Sequence, residues 1–332
     1  MKALVTGGGG FLGAKIVEML IARGDEVTVL GRSQYPKIVE LGAKTVQLDI
    51  SKKEGLLEAC SGMDVVFHVA ALAGVWGPRE NFWRVNVEGT RNILEAAKSA
   101  GVKRFVHTSS PSAVWDGGDM EFVTEADCPY PEKFLTDYPE TKAISEQDAL
   151  KANDEEMAVT AIRPRLIWGP GDPHLIPRML DRHSRLRIIG DGTNKVGICY
   201  VDNAAHAHIL AADRLSVGSA NAGKAYFVAD DEPVEIWSWL NRLLTRLGKT
   251  PINRKVPRNV AYGLGVVMES IWRLFGLKGE PFMTRFVACS LSSAYYYNLK
   301  GAREDFGYEM IADPDEGFEK MVEYFKSQQS EV

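Results

Sequence analysis

The sequence predicts an α/β fold: a doubly wound parallel sheet followed by a smaller, mainly helical C-terminal region. Three observations carry this expectation. Short β-branched runs alternate with longer segments of helical period through the first half of the chain. A glycine-rich turn follows directly on the first run, and the alternation loosens after Trp168, where Gly169-Pro170-Gly171-Asp172-Pro173 forms a turn cluster. Strands are expected at 3–6, 26–30, 44–48, 64–69, 104–108 and 158–163. Between them, Leu12, Ile16 and Leu20, then Phe82, Val85, Gly89, Ile93 and Ala96, recur at helical spacing and lay an apolar stripe against the sheet. A helix at 201–210 and a strand at 225–228 are expected to return to the sheet, and helices at 234–247, 256–275 and 315–325 make up the rest.

Composition narrows the classes of function. The chain has 332 residues, with 39 Lys and Arg against 44 Asp and Glu, a formal charge of −5. Nucleic acid is therefore excluded as an expected partner, because its binding depends on a concentrated positive field. The four cysteines, Cys60, Cys128, Cys199 and Cys289, are far apart and form no CxxC pair, so neither a disulfide framework nor a metal site is expected. Met1-Lys2-Ala3-Leu4-Val5-Thr6 runs straight into glycines, leaving no room for a signal peptide. A reducing cytoplasm is the expected location.

The glycine segment reads Thr6-Gly7-Gly8-Gly9-Gly10-Phe11-Leu12-Gly13 between a strand and an amphipathic helix. That is the Rossmann context for holding a dinucleotide. Gly7 permits the tight turn, Gly10 leaves room for a pyrophosphate and Gly13 allows close helix packing. Backbone N–H groups of the turn and of Phe11 and Leu12, at the positive end of the helix, then face the phosphates. An NAD-binding domain usually ends its second strand with an acidic residue; here the sequence is Leu30-Gly31-Arg32-Ser33, with Arg32 19 residues beyond Gly13. No carboxylate repels a 2′-phosphate, and a guanidinium is at hand with Ser33 beside it. NADP(H) is expected over NAD(H), which stays open. Residues 1–168, with 198–230 returning to them, form the expected dinucleotide-binding domain; 169–197 and 231–332 form the substrate-binding region.

Tyr138-Pro139-Glu140-Thr141-Lys142 supplies acid–base groups. On a helix whose first turn tolerates Pro139, Tyr138 and Lys142 share one face at i, i+4. A neighbouring ammonium and the positive nicotinamide ring favour the phenolate, so the two together are expected to bring Tyr138 down toward working pH. The fifth strand ends in Thr108-Ser109-Ser110, where an uncharged donor can stabilise charge growing on a carbonyl oxygen. Tyr130 has Phe134 at i+4 and is read as surface loop.

The combination Thr6-Gly7-x-x-Gly10-x-x-Gly13, Ser110 and Tyr138-x-x-x-Lys142 resembles the extended short-chain dehydrogenase/reductase family. Within it the chain is most similar to the 3β-hydroxysteroid dehydrogenase branch, including sterol-4-carboxylate 3-dehydrogenases and 2-alkyl-3-oxoalkanoate reductases. The stretches carrying that likeness are 163–172, 190–196, 200–203, 283–286 and 306–308. The resemblance implies that Ser110 polarises the substrate oxygen, Tyr138 exchanges its proton and Lys142 binds nicotinamide-ribose hydroxyls. It further implies that Asp49 and Ile50 meet the adenine, that Ala70, Ala71 and Pro164 lie beside the cofactor, and that Asn86 belongs to the catalytic set. Gly31 departs from the pattern, and Pro111 directly after Ser110 leaves the local backbone there open.

The segment 259–277 is strongly apolar yet too short and interrupted for a membrane span. It is expected to be a lid over an apolar substrate pocket, with a peripheral membrane helix as the alternative. Trp76, Trp83, Trp115 and Trp168 suit packing and pocket equally. His68 and His107 are expected in the core, His206 and His208 make a poor metal pair, and Asp202 reads as an N-cap. The expected function is hydride transfer between NADP(H) and the β-oxo or β-hydroxy group of a small apolar acid. A sugar-nucleotide epimerase or dehydratase and a non-catalytic dinucleotide sensor are the alternatives; a homodimer stays open.

Overall fold

The computed structural model describes residues 1–173 and 175–330; positions 174, 331 and 332, which belong to the expected substrate region, lie outside them. Seven strands form one parallel sheet: β1 (Lys2–Thr6), β2 (Glu26–Gly31), β3 (Lys44–Gln47), β4 (Val65–His68), β5 (Arg104–Thr108), β6 (Ala158–Pro164) and β7 (Ala225–Val228). Their order is β7-β6-β5-β4-β1-β2-β3. The chain builds β1, β2 and β3 outward, then crosses back to lay β4 on the other side of β1. This reversal leaves a crevice beyond the tips of β1 and β4, where ligands bind in such sheets.

Both faces of the sheet are covered, which is why its strands read as apolar runs rather than as alternating ones. Helix α1 (Phe11–Ala22) packs with α4 (Val201–Arg214) on one face, and α2 (Gly89–Ser99) with α3 (Asp137–Lys151) on the other. Side chains alternate between them: Ala3 and Val5 join the cluster of Ile16 and Leu20, while Leu4 joins that of Ile93 and Phe105. Two features depart from the expected elements. The helical run ending in α2 begins at Arg79 and passes through a π turn at Trp83–Glu88, and Asp202 lies inside the first turn of α4 rather than capping it. Its carboxylate instead faces Lys15 at 3.5 Å.

The C-terminal part carries α5 (Ile236–Arg246), α6 (Arg258–Phe275) and α7 (Pro314–Ser330). It also carries a second sheet that the periodicity did not announce, in the order Val234–Glu235, Lys195–Val196, Tyr295–Tyr297 and Met120–Val123. These strands are two to four residues long, too short for period two to stand out. Tyr295–Tyr297 sets the buried rings of Tyr295 and Tyr297 edge to face at 5.5 Å, with the Arg165 guanidinium over Tyr295.

Candidate active site

The crevice beyond β1 and β4 is a cavity of about 630 Å³, within the usual range for ligand sites. Its wall is built at one end by the glycine turn. Gly7 adopts φ +70°, and Gly10 donates its N–H to the Gly7 carbonyl at 2.9 Å, which closes the turn and starts α1. Phe11, Leu12 and Gly13 then open on the cavity, with no acidic residue in that first turn to oppose an anion. A Cβ at Gly10 would meet only the Gly7 oxygen, at 3.3 Å, so the space beside it belongs to the cavity. This cradle fits a diphosphate.

Arg32, Asp49, Ile50, Ala70, Ala71 and Pro164 line the same cavity. Asp49 is anchored by Ser51, whose N–H and hydroxyl donate to Oδ1 at 3.0 and 2.9 Å. Burial pushes its pKa up, but those two bonds and the cations Arg32 and Arg84 outweigh it and hold the carboxyl below its ordinary value. Thr6 and Ser33 are not brought to the cavity wall. The Thr6 hydroxyl is spent on His68 Nδ1 at 2.8 Å and on the Ala70 N–H at 3.3 Å, fixing the tips of β1 and β4. Ser33 is exposed on the loop after β2. Tyr35, which no local pattern in the sequence singles out, takes a place beside Arg32. A Cβ at Gly31 would come within 2.4 Å of its hydroxyl, so the ring fills the space of the acidic side chain usual at that position.

At the other end Ser110, Tyr138 and Lys142 converge. Helix α3 starts at Asp137, so Pro139 sits in the first turn, where no helical N–H is lost, and Tyr138 and Lys142 face the cavity one turn apart. Pro111 opens a short 3₁₀ turn, Pro111–Val114, and leaves Ser110 extended at φ −155°. The Ser110 hydroxyl bonds that of Ser112 at 2.8 Å. Lys142 is buried and donates from Nζ to the Thr108 carbonyl at 2.6 Å. Burial lowers its pKa to about 8, with Glu146 pulling the other way.

Lys142 by itself does not produce the expected depression of Tyr138. Burial pushes its phenol above the ordinary value, against a smaller opposing effect of the Ser110 hydroxyl. The cost of desolvating a phenolate exceeds what its neighbours return, so the group is protonated at neutral pH.

Asn86 is buried in the π turn and does not line the cavity. Its amide accepts from the Leu72 N–H at 2.7 Å and donates to the Leu72 carbonyl and the Thr141 hydroxyl, each at 3.1 Å. It thereby ties the loop after β4 to α3, next to Lys142. Tyr130 is no surface residue either: its half-buried hydroxyl donates to Glu146 Oε1 at 2.6 Å, and Glu146 holds Arg163 through two bonds at 2.8 and 2.6 Å.

His68 and His107 are buried, and burial lowers both their pKa values, that of His68 to about 3. His208 is buried too, with Nδ1 at 2.7 Å from the Ala204 carbonyl. No cluster of three metal-ligating side chains occurs among the described residues. None of the four tryptophans lines the cavity: Trp115 and Trp168 are core, bonded to the Gly118 carbonyl and to Asp230, while Trp76 and Trp83 lie under Arg273 and Arg79.

The lid expectation for 259–277 is also corrected. No residue of α6 lines the cavity; Ala261, Gly265 and Glu269 face inward, and Leu274 and Phe275 are 79% and 68% exposed. The contribution of α6 is indirect. Glu269 bonds the Arg285 N–H at 2.7 Å and its Nε at 2.8 Å, fixing the short helix Arg285–Ser290 that presents Phe286 and Ser290 to the cavity. No helix among the described residues is long and apolar enough to cross a membrane.

The profile of the 3-beta hydroxysteroid dehydrogenase/isomerase family matches residues 4–258. A 2-alkyl-3-oxoalkanoate reductase from Stenotrophomonas maltophilia is 42% identical over 97% of this chain and 98% of its own. The sterol-4-alpha-carboxylate 3-dehydrogenase (decarboxylating) of Mus musculus is 35% identical over 98% and 91%. In fold, the chain superposes on a dTDP-glucose 4,6-dehydratase from Streptomyces venezuelae with NAD bound, at a TM-score of 0.75 and 23% identity, covering 99% and 98% of the two chains. The chain belongs to the 3-beta hydroxysteroid dehydrogenase/isomerase family and is an NAD(P)-dependent oxidoreductase of the short-chain dehydrogenase/reductase type.

Proposed function

We propose that this protein transfers hydride between NADP(H) and the β-oxo or β-hydroxy group of an apolar acid. The observation that carries this reading is the convergence of Ser110, Tyr138 and Lys142 on a cavity whose far end is a glycine cradle. In this reading residues 1–168 with 198–230 hold the dinucleotide, and 169–197 with 231–332 shape the substrate side. When bound, the dinucleotide supplies or accepts the hydride. Tyr138, protonated at neutral pH, gives its phenolic proton to the carbonyl oxygen of the substrate in reduction. Ser110 donates to the same oxygen as negative charge grows there. Lys142 holds ribose hydroxyls with its ammonium, and Asn86 acts as a positioning residue through Thr141. Leu166, Ile167, Leu175 and Phe286 supply the apolar wall against which a hydrocarbon packs. The outward apolar face of α6 supports peripheral contact with a membrane surface as the source of such a substrate.

NADPH absorbance is expected to fall when a long-chain 2-alkyl-3-oxo acid is added, or NADPH to form from a 4-carboxysterol and NADP; turnover of a sugar nucleotide with neither acid active would overturn the reading. For the cofactor, Arg32→Ala is expected to weaken NADPH roughly 10- to 100-fold, the loss of one charge-assisted contact, with NADH little changed. Fluorescence titration checks it, and equal losses for both dinucleotides would remove the 2′-phosphate contact.

A further inference from the structure

Two arginines lie two residues apart at the end of β6, and their surroundings differ. Arg163 is buried and held by the Glu146 carboxylate. Arg165 is 6% exposed and lines the cavity, yet no described carboxylate pairs with it, and its Nε and Nη2 are buried without a hydrogen-bond partner. Its guanidinium lies 3.8 Å over the ring of Tyr295, which stacks in turn on Trp115. A ring face offsets only part of the loss of water around a cation. Asp172 shares the cavity wall, but its oxygens accept the backbone N–H groups of Leu175 and Ile176 at 3.1 and 2.9 Å. A buried cation with unsatisfied donors, set in the wall of a ligand cavity, is a site for an anion.

We propose that Arg165 is the subsite for the substrate's carboxylate. A β-oxo acid carries its carboxylate two bonds from the carbonyl carbon, so one molecule can present oxygen to Ser110 and Tyr138 and its carboxylate to the planar fork of Arg165. The fork selects a free acid over an ester or a plain ketone of the same hydrocarbon, because only the acid brings a negative charge to the guanidinium. The assignment rests on the reading of the cavity as a β-oxo acid site, and it names the group that distinguishes this substrate from a neutral ketone.

Calorimetric titration of the protein with NADPH present tests it without turnover, using a long-chain 2-alkyl-3-hydroxy acid and its methyl ester, neither of which can take hydride from the reduced dinucleotide. The wild-type protein is expected to bind the acid about 30-fold tighter than the ester, the size of a charge-assisted pair. Arg165→Gln is expected to erase that preference while leaving the ester and NADPH affinities unchanged, and Arg165→Lys, lacking the fork, to keep only a few-fold of it. A wild-type protein with no preference for the acid, or an Arg165→Gln protein that keeps it, overturns the proposal. Should the Gln variant not fold, a Lys variant with the full wild-type preference does the same. Binding of the acid through Arg165 without any reduction of the corresponding oxo acid would sink the reductase reading and leave the carboxylate subsite standing.

Discussion

Tyr138→Phe is expected to lose at least ~10³-fold in kcat, toward the upper part of what a positioned proton donor contributes. The substitution removes one hydroxyl and keeps the ring, which packs edge-on against Phe82 at 6.4 Å between centroids, so α3 and the fold are left intact. Lys142 keeps its bond to the Thr108 carbonyl and Ser110 its bond to Ser112, because neither runs through Tyr138. Dinucleotide affinity is therefore expected to stay within about twofold of wild type, and KM for the substrate to move little, since the missing interaction is made mainly in the transition state. Steady-state kinetics beside a fluorescence titration of NADPH separate the two quantities. Undiminished turnover would take Tyr138 out of its role; loss of dinucleotide binding would show that the phenol supports the site's shape instead.

The sheet and the cradle were legible because each rests on local signals. A strand buried on both faces announces itself by β-branched runs, and the turn itself makes local demands, a φ of +70° at Gly7 and close approach of the Gly7 carbonyl to positions 10 and 13. Tyr138 and Lys142 were legible for the same reason, being one helical turn apart. What escaped the sequence is what distance in the chain creates. Tyr35 occupies the space at Gly31 only because the loop after β2 folds back over it. Arg165 differs from Arg163 in lacking a partner such as Glu146, and Glu146 lies on another element. The apolar face of α6 read as a lid because periodicity reports that a face is apolar and not whether it meets the cavity or the outside. Lys142 by itself leaves Tyr138 above its ordinary value, because spacing reveals a neighbouring charge but not the depth of burial that works against it.

Gly13→Ala is expected to raise the dissociation constant for either dinucleotide by at least ~100-fold and to lower thermal stability by an amount in the range of core overpacking, about 1–3 kcal/mol. A Cβ at position 13 would lie 2.3 Å from the Gly7 oxygen and 2.9 Å from both the Gly7 carbonyl carbon and the Gly8 Cα. All three are backbone atoms, so no rotamer change relieves the clash. Either α1 moves off the turn or the turn opens and gives up the Gly10 to Gly7 hydrogen bond at 2.9 Å. Each route displaces the N–H groups of Phe11 and Leu12, which in the proposed reading face the diphosphate together, and convergence of that kind is what gives a helix end its affinity for an anion. The matched control is Gly263→Ala within α6, where a Cβ meets nothing within 4 Å; there the dissociation constant is expected to hold and stability to rise by about 0.4–1 kcal/mol. Isothermal titration and thermal melting of the two variants side by side decide the matter. If the Gly13→Ala protein binds as tightly as wild type, the diphosphate is not held by the end of α1, and the hydride chemistry assigned to the opposite end of the cavity loses its anchor.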